Sequence, residues 1–374
     1  MTSMDPVSPD LTAERVHALK VHHVYREQAA YDSISRALRN VDHAHVPAHL
    51  TPILRRWESI TSNPDAQQKR WRELLAQDAG DVPQSCSWTE VRVRGEELLS
   101  EAGWDESTID NQKNLDAFFS TCDAELESLI VGENTVRQIL FDNDALSAAS
   151  AMYQNNPISS AINTNVATRL AARAARCPSR LAVAEIGAGT GALTDPVLDA
   201  LRNTHVDYTF SDVSRWFLHR AKLRYAGRPG MNFGIVDIND APGEALDSLH
   251  IGSGFDVIAC GNVAHNALRP VQLLSELSAQ LRPKGSMYLI ETGTEHLPLQ
   301  ISMRFLMAPD PNGPRQEFQD ARGSSGRIFL NREEWVEAAT AAGLTVKSRY
   351  PEKHHPLEWL DQFSLELIKE ESVS

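Results

Sequence analysis

Residues 181–201, LAVAEIGAGTGALTDPVLDAL, pass from an apolar run through three closely spaced glycines into an amphipathic run. The pattern is that of a strand, a tight turn and a helix. Gly187 and Gly189 in such a turn let the backbone approach a ligand that a Cβ would hold away. The turn alone does not choose the ligand. Gly187, Gly189 and Ala192 also satisfy the looser G-x-G-x-x-A form of a dinucleotide-binding turn, so a nicotinamide or flavin ligand competes at this stage.

Outward from this stretch the chain alternates. VDYTFS, MNFGIV, FDVIAC and SMYLIE read as β-rich runs separated by helical ones, and NREEWVEAATAAG is followed by LTVKSRY and FSLELIKE as two further strands. Alternation of this kind predicts parallel strands with crossover helices, an α/β fold. Upstream, segments 9–39, 64–79, 107–130 and 157–176 carry apolar residues at helical spacing, and Ser87-Trp88-Thr89-Glu90 is a capping-box pattern. The predicted organisation is a helical lid or substrate region over 1–135 and a ligand-binding α/β region over 136–374.

The 374 residues, 42% hydrophobic, suffice for one α/β domain and a smaller helical one. No run matches a membrane span, and MTSMDPVSPD lacks the charged-then-apolar order of a signal peptide, so a soluble, cytoplasmic protein is expected. Cys86, Cys122, Cys177 and Cys260 are scattered, which predicts reduced and mostly buried thiols. A net charge of −14 opposes nucleic acid and anionic membrane as partners. His43, His45 and His49 lie beside Pro47 with no clustered acid or cysteine; they read as a solvated loop, and no metal site is expected. Trp57, Trp71, Trp88 and Trp104 read as helix-packing residues.

The residues around the turn narrow the ligand. Asp212 ends the second strand, where a carboxylate accepts from ribose hydroxyls. Glu185 precedes the turn and suits a charged amino group, while Asp237 and Ile238 follow the third strand and suit an adenine. These are the needs of S-adenosylmethionine, without a phosphate. His265 follows FDVIAC at the carboxyl edge of the sheet, where open α/β folds bind ligands, and is the candidate base. Glu291 ends SMYLIE on the same edge and suits the other imidazole nitrogen.

AEIGAGTGALTDPVLDAL, YTFSDVSRWFLHRAK, VDIND, FDVIACGNVAHNALRPVQLLSEL and LRPKGSMYLIETG, with ELESLIVGENTVRQILF and AMYQNNPISSAIN upstream, resemble the S-adenosylmethionine-dependent methylation domains of polyketide synthases and nonribosomal peptide synthetases. The resemblance covers roughly residues 125–305. It implies a class I methyltransferase fold, Rossmann-like with a seven-stranded sheet, and a carbon methyltransferase of secondary metabolism; the long N-terminal helical part and the absence of flanking synthase domains lead to the expectation of a free-standing enzyme. It also implies that His265 and Glu291 form the catalytic pair, that Asn262 meets the reactive end of the cofactor, and that Tyr153 and Asn163 close over its methionine part. Ala188 and Val213 complete the expected cofactor site.

The acceptor is expected to be a free small-molecule carbon acid or phenol, such as the ring of tyrosine. Like charges disfavour docking of an acidic carrier protein. A carrier-bound β-keto chain, or oxygen or nitrogen methylation on the same fold, are the alternatives. The stretch between Glu291 and Trp335 is expected to cover the acceptor, with Met303, Phe305, Met307 and Phe329 as an apolar wall and Arg304 or Arg322 free for a carboxylate.

Overall fold

The computed structural model describes residues 11–75, 82–142, 156–177, 180–249, 254–308 and 317–369. The upstream part is helical: α1 (Ala13–Asn40), α2 (Thr51–Thr61), α3 (Pro64–Leu75), α4 (Trp88–Glu101), α5 (Glu106–Ala124), α6 (Leu126–Val131), α7 (Val136–Asp142) and α8 (Pro157–Ala174). Ser87 and Glu90 make the reciprocal capping box that starts α4. The periodic run 107–130 is two helices and not one. Its break falls at Glu125, whose φ of −95° and ψ of 8° leave the helical region.

Seven strands follow: β1 (Leu181–Ile186), β2 (Val206–Ser211), β3 (Met231–Gly234), β4 (Phe255–Gly261), β5 (Leu281–Thr292), β6 (Leu344–Tyr350) and β7 (Gln362–Lys369). They form one sheet in the order β3-β2-β1-β4-β5-β7-β6. The first five are parallel, and β7 runs antiparallel between β5 and β6. The crossovers carry α9 (Thr194–Ala200), α10 (Arg215–Arg224), α11 (Pro242–Leu249) and α12 (Pro270–Ala279), and α13 (Leu297–Gln300), α14 (Met303–Leu306), α15 (Ala321–Ser325) and α16 (Arg332–Ala341) lie between β5 and β6. This is the seven-stranded class I methyltransferase architecture.

Side chains alternate across the sheet, as the strand period requires. Leu181 and Val183 of β1, with Val257 and Ala259 of β4, pack on α8 and α9. Ala182, Ala184 and Ile186, with Ile258 and Cys260, pack on the opposite face against α12 and Trp335 of α16. The thiols of Cys86, Cys122 and Cys260 are buried, and none of the four cysteines is joined in a disulfide. Among the described residues no helix is long and apolar enough to cross a membrane.

The helical part has its own core around Trp57, Trp71 and Trp88, and that core reaches past the sequence boundary near residue 135: Leu297 and Ile301 are buried in it. Met303 and Phe305 pack on the same core, Phe305 edge-on to Trp57 at 6.0 Å. The expected apolar wall is thus corrected at these two residues, since the helical layer offers a larger apolar surface to their side chains.

Candidate active site

The strand order reverses between β1 and β4, which opens a crevice at their carboxyl ends. The turn after β1 lines it. Gly187 and Gly189 have φ of +64° and +51°, and a Cβ on Gly187 would stand 2.4 Å from Val263 Cγ2. Glycine is required there both by conformation and by the close approach of the loop after β4.

A cavity of about 420 Å³ occupies the crevice, and Asn163, Glu185, Gly187, Ala188, Gly189, Asp212, Val213, Asp237, Ile238 and Asn262 all line it. Ten of the sequence-selected residues are therefore brought together, while Tyr153 lies outside the described residues. Among the described residues, three carboxylates line the cavity and no lysine or arginine does. That charge set suits a cationic nucleoside-and-amino-acid ligand and opposes the pyrophosphate of a dinucleotide.

Each carboxylate is held in place by its surroundings. Asp212 Oδ2 accepts Gly189 N at 2.9 Å and Oδ1 accepts Ser214 N at 2.7 Å, so it fastens the glycine turn to the end of β2 and to the start of α10. Burial raises its pKa, and those backbone N–H groups oppose the rise. Glu185 is 2% exposed; Thr194 Oγ1 and the Tyr208 hydroxyl both donate to its Oε2. Burial pushes its pKa up to about 7 against those two donors. Asp237 caps its own loop, accepting Asn239 N at 2.9 Å. Asn163 reaches the turn itself, its Nδ2 donating to Ala192 O at 3.2 Å.

The loop after β4 carries the other half. Asn262 has φ +50°, a left-handed conformation that asparagine tolerates better than most residues, and its N–H donates to Ile290 O at 2.8 Å. His265 follows in a short 3₁₀ turn. Its Nδ1 lies 2.7 Å from Glu291 Oε2, and its backbone N donates to Glu291 Oε1 at 3.1 Å. Glu291 is fully buried, and its two oxygens thus hold both the ring and the main chain of one residue. A carboxylate partner places the proton on Nδ1 and leaves the lone pair on Nε2. His265 is not part of the cavity wall; its neighbours Asn262, Val263 and Asn266 are, so the ring stands at the rim. Phe329 meets it edge-on at 5.1 Å.

Arg322 corrects an expectation. It is 1% exposed, with Nη2 donating to Ala267 O at 2.8 Å, Nη1 to His265 O, and Nε to Asp320 Oδ1 at 2.9 Å. Its donors are spent on the His265 turn, and it is not free for a substrate carboxylate. Phe217, Val236 and Asn239 line the cavity without having been singled out in the sequence. Phe217, three residues after the cap Ser214 and in the first turn of that helix, was open to detection from its place just past Asp212; the others carry no signal of their own.

Residues 184–287 match the family model described as a methyltransferase domain. The chain is 30% identical over 220 residues to pyochelin synthetase PchF of Pseudomonas aeruginosa, covering 57% of this chain. It is 26% identical over 352 residues to the highly reducing polyketide synthase resH of Aspergillus sclerotiorum, covering 92% of this chain. In both cases it spans 12% of the relative's own length. Among solved structures, the CurJ carbon methyltransferase superposes with a TM-score of 0.66 at 20% identity, covering 94% of this chain and 91% of that one. The trans-methyltransferase CalH in complex with SAH superposes with a TM-score of 0.60 at 16% identity, covering 95% and 90%.

Proposed function

We propose that this chain, whose residues 184–287 match a methyltransferase-domain model, uses S-adenosylmethionine to methylate a carbon acceptor in the biosynthesis of a secondary metabolite. S-adenosylmethionine supplies an electrophilic methyl group when bound. Glu185 meets its ammonium group, Asp212 its ribose, and Asp237 with Ile238 its adenine, and the three carboxylates complement a cation without phosphate. A carbon acceptor must lose a proton to become a nucleophile, and His265 Nε2 takes it. Glu291 stabilises the resulting imidazolium and holds the ring at the rim of the cavity. The single observation carrying the reading is the anchored pair, His265 Nδ1 at 2.7 Å from a fully buried Glu291.

The acceptor is proposed to be a free small-molecule carbon acid or phenol, tyrosine being the model compound. A specific observation favours a second reading, in which the acceptor is tethered to an acidic carrier protein. Helix α10, beside the cavity, exposes Trp216 and Leu223 at 42% and 67% together with Arg215, Arg220 and Lys222, a basic and apolar strip on a chain of net charge −14. Incubation with methyl-labelled donor and either free phenols and β-keto thioesters or the same acyl groups on a carrier, with NMR of the product, separates these readings. His265→Ala should lower carbon methylation by about 10²–10⁴ while leaving donor affinity unchanged, and Glu291→Gln should follow it with a smaller loss. Near-normal turnover of His265→Ala overturns the base, and an oxygen- or nitrogen-methylated product overturns the carbon acceptor.

A further inference from the structure

A second cluster of ligand-type side chains lies away from the methyl-transfer site, where the helical layer meets the sheet. His23 and Glu27 stand one turn apart on α1, and His296 lies four residues beyond the end of β5. His23 Nε2 and His296 Nδ1 lie 3.8 Å and 3.7 Å from the same oxygen, Glu27 Oε1, and the three donor atoms fall within 4.8 Å of one another.

These separations are too long for hydrogen bonds and of the right order for a bridging ion. A tetrahedral ion with ligands about 2.0–2.1 Å away sets its donors roughly 3.4 Å apart, a few tenths of an ångström closer than the two imidazole–carboxylate separations, so binding would draw the two imidazoles, whose donor atoms are the wider pair within the 4.8 Å limit, toward each other. The tautomer of His296 strengthens the case. Its Nε2 stands 3.0 Å from Leu360 O, which only accepts, so the proton sits on Nε2 and a lone pair is left on Nδ1. That Nδ1 is buried, has no hydrogen-bond partner and faces a carboxylate. Lone pair against carboxylate is repulsive unless a proton or a metal ion stands between them.

The other groups fit. Leu297 N donates to Glu27 Oε1 at 2.8 Å and Trp71 Nε1 approaches Oε2 at 3.5 Å, the kind of outer bonds that orient a metal ligand. Arg26, on the same helix, is already paired with Asp116 at 2.5 Å. A small cavity of about 100 Å³, lined by His23, His296, Asn156 and Gln362, leaves room for a water as fourth ligand.

We propose that His23, Glu27 and His296 bind a divalent transition-metal ion of the zinc type, tying α1 to the segment that leaves β5. The test uses the full chain, stripped with a chelator and dialysed. Titration with cobalt(II) should give saturable visible d–d absorption at one ion per chain, and zinc should displace it. Glu27→Gln and His296→Ala should each weaken zinc binding by at least about tenfold. His23→Ala, altering the more exposed ligand, serves if either variant fails to fold. S-adenosylmethionine affinity, measured on the same samples, should be unaffected by the variants, so a failure here is distinguishable from a failure of the methyltransferase reading. Absence of saturable cobalt absorption, or equal zinc isotherms in wild type and variants, overturns the proposal.

Discussion

Glu185 stays protonated to about pH 7 because burial penalises its charge. Only the ionised form attracts an ammonium group, so donor binding below that pH must also expel a proton. Affinity for S-adenosylmethionine should therefore rise with pH toward about 7 and level off above it, the slope approaching tenfold per unit on the acid side. The same shift acts on the unliganded fold with opposite sign. The stability Glu185 contributes is complete below its ordinary value of 4.5 and is lost as pH rises through about 7. Calorimetric titration across this range checks the first statement, and a pH-independent affinity, or a slope unchanged in Glu185→Gln, would defeat it. Residues such as Asp212, His265 and Glu291 were legible in the sequence because each follows or ends a plain apolar run. Tyr208, one of the donors to Glu185, was not, since a phenol inside a strand reads as core until its hydroxyl finds a partner.

At the scale of elements, the His265 turn is clamped from a distant part of the chain. Arg322, at the start of α15, joins the carbonyls of His265 and Ala267 to Asp320. Arg322→Met should leave those acceptors buried and unpaired, costing about 3–5 kcal/mol in denaturant unfolding and lowering turnover more than donor affinity. A change under about 1 kcal/mol would show that the turn holds itself. The sequence offered Arg322 as a substrate ligand because composition says nothing about which donors are already engaged. Helix and strand positions were legible from period and punctuation, whereas the break at Glu125 lies in one residue's backbone dihedrals, which periodicity does not register.

For the whole molecule, the helical and α/β parts share apolar surface through Leu297 and Ile301, which belong to the core of the former while following the sheet strand that carries Glu291. The two parts should therefore melt together. Near-UV signals from Trp57 and Trp71 in one part and Trp335 in the other should report one transition at one temperature, matching the far-UV signal. Two separated transitions would show that the shared segment couples them weakly.

The place of β7 in the sheet has a consequence for biosynthesis. It is the last of the seven strands along the chain, yet it lies between β5 and β6, sealing the edge of the strand that bears Glu291. β5 ends at Thr292 and β7 begins at Gln362. A ribosome adding about 5–20 residues per second needs on the order of 4–14 s to cross that interval. Throughout it the nascent chain presents an open, apolar strand edge, so a growing polypeptide of this sequence depends on chaperone cover during those seconds more than the finished protein ever does.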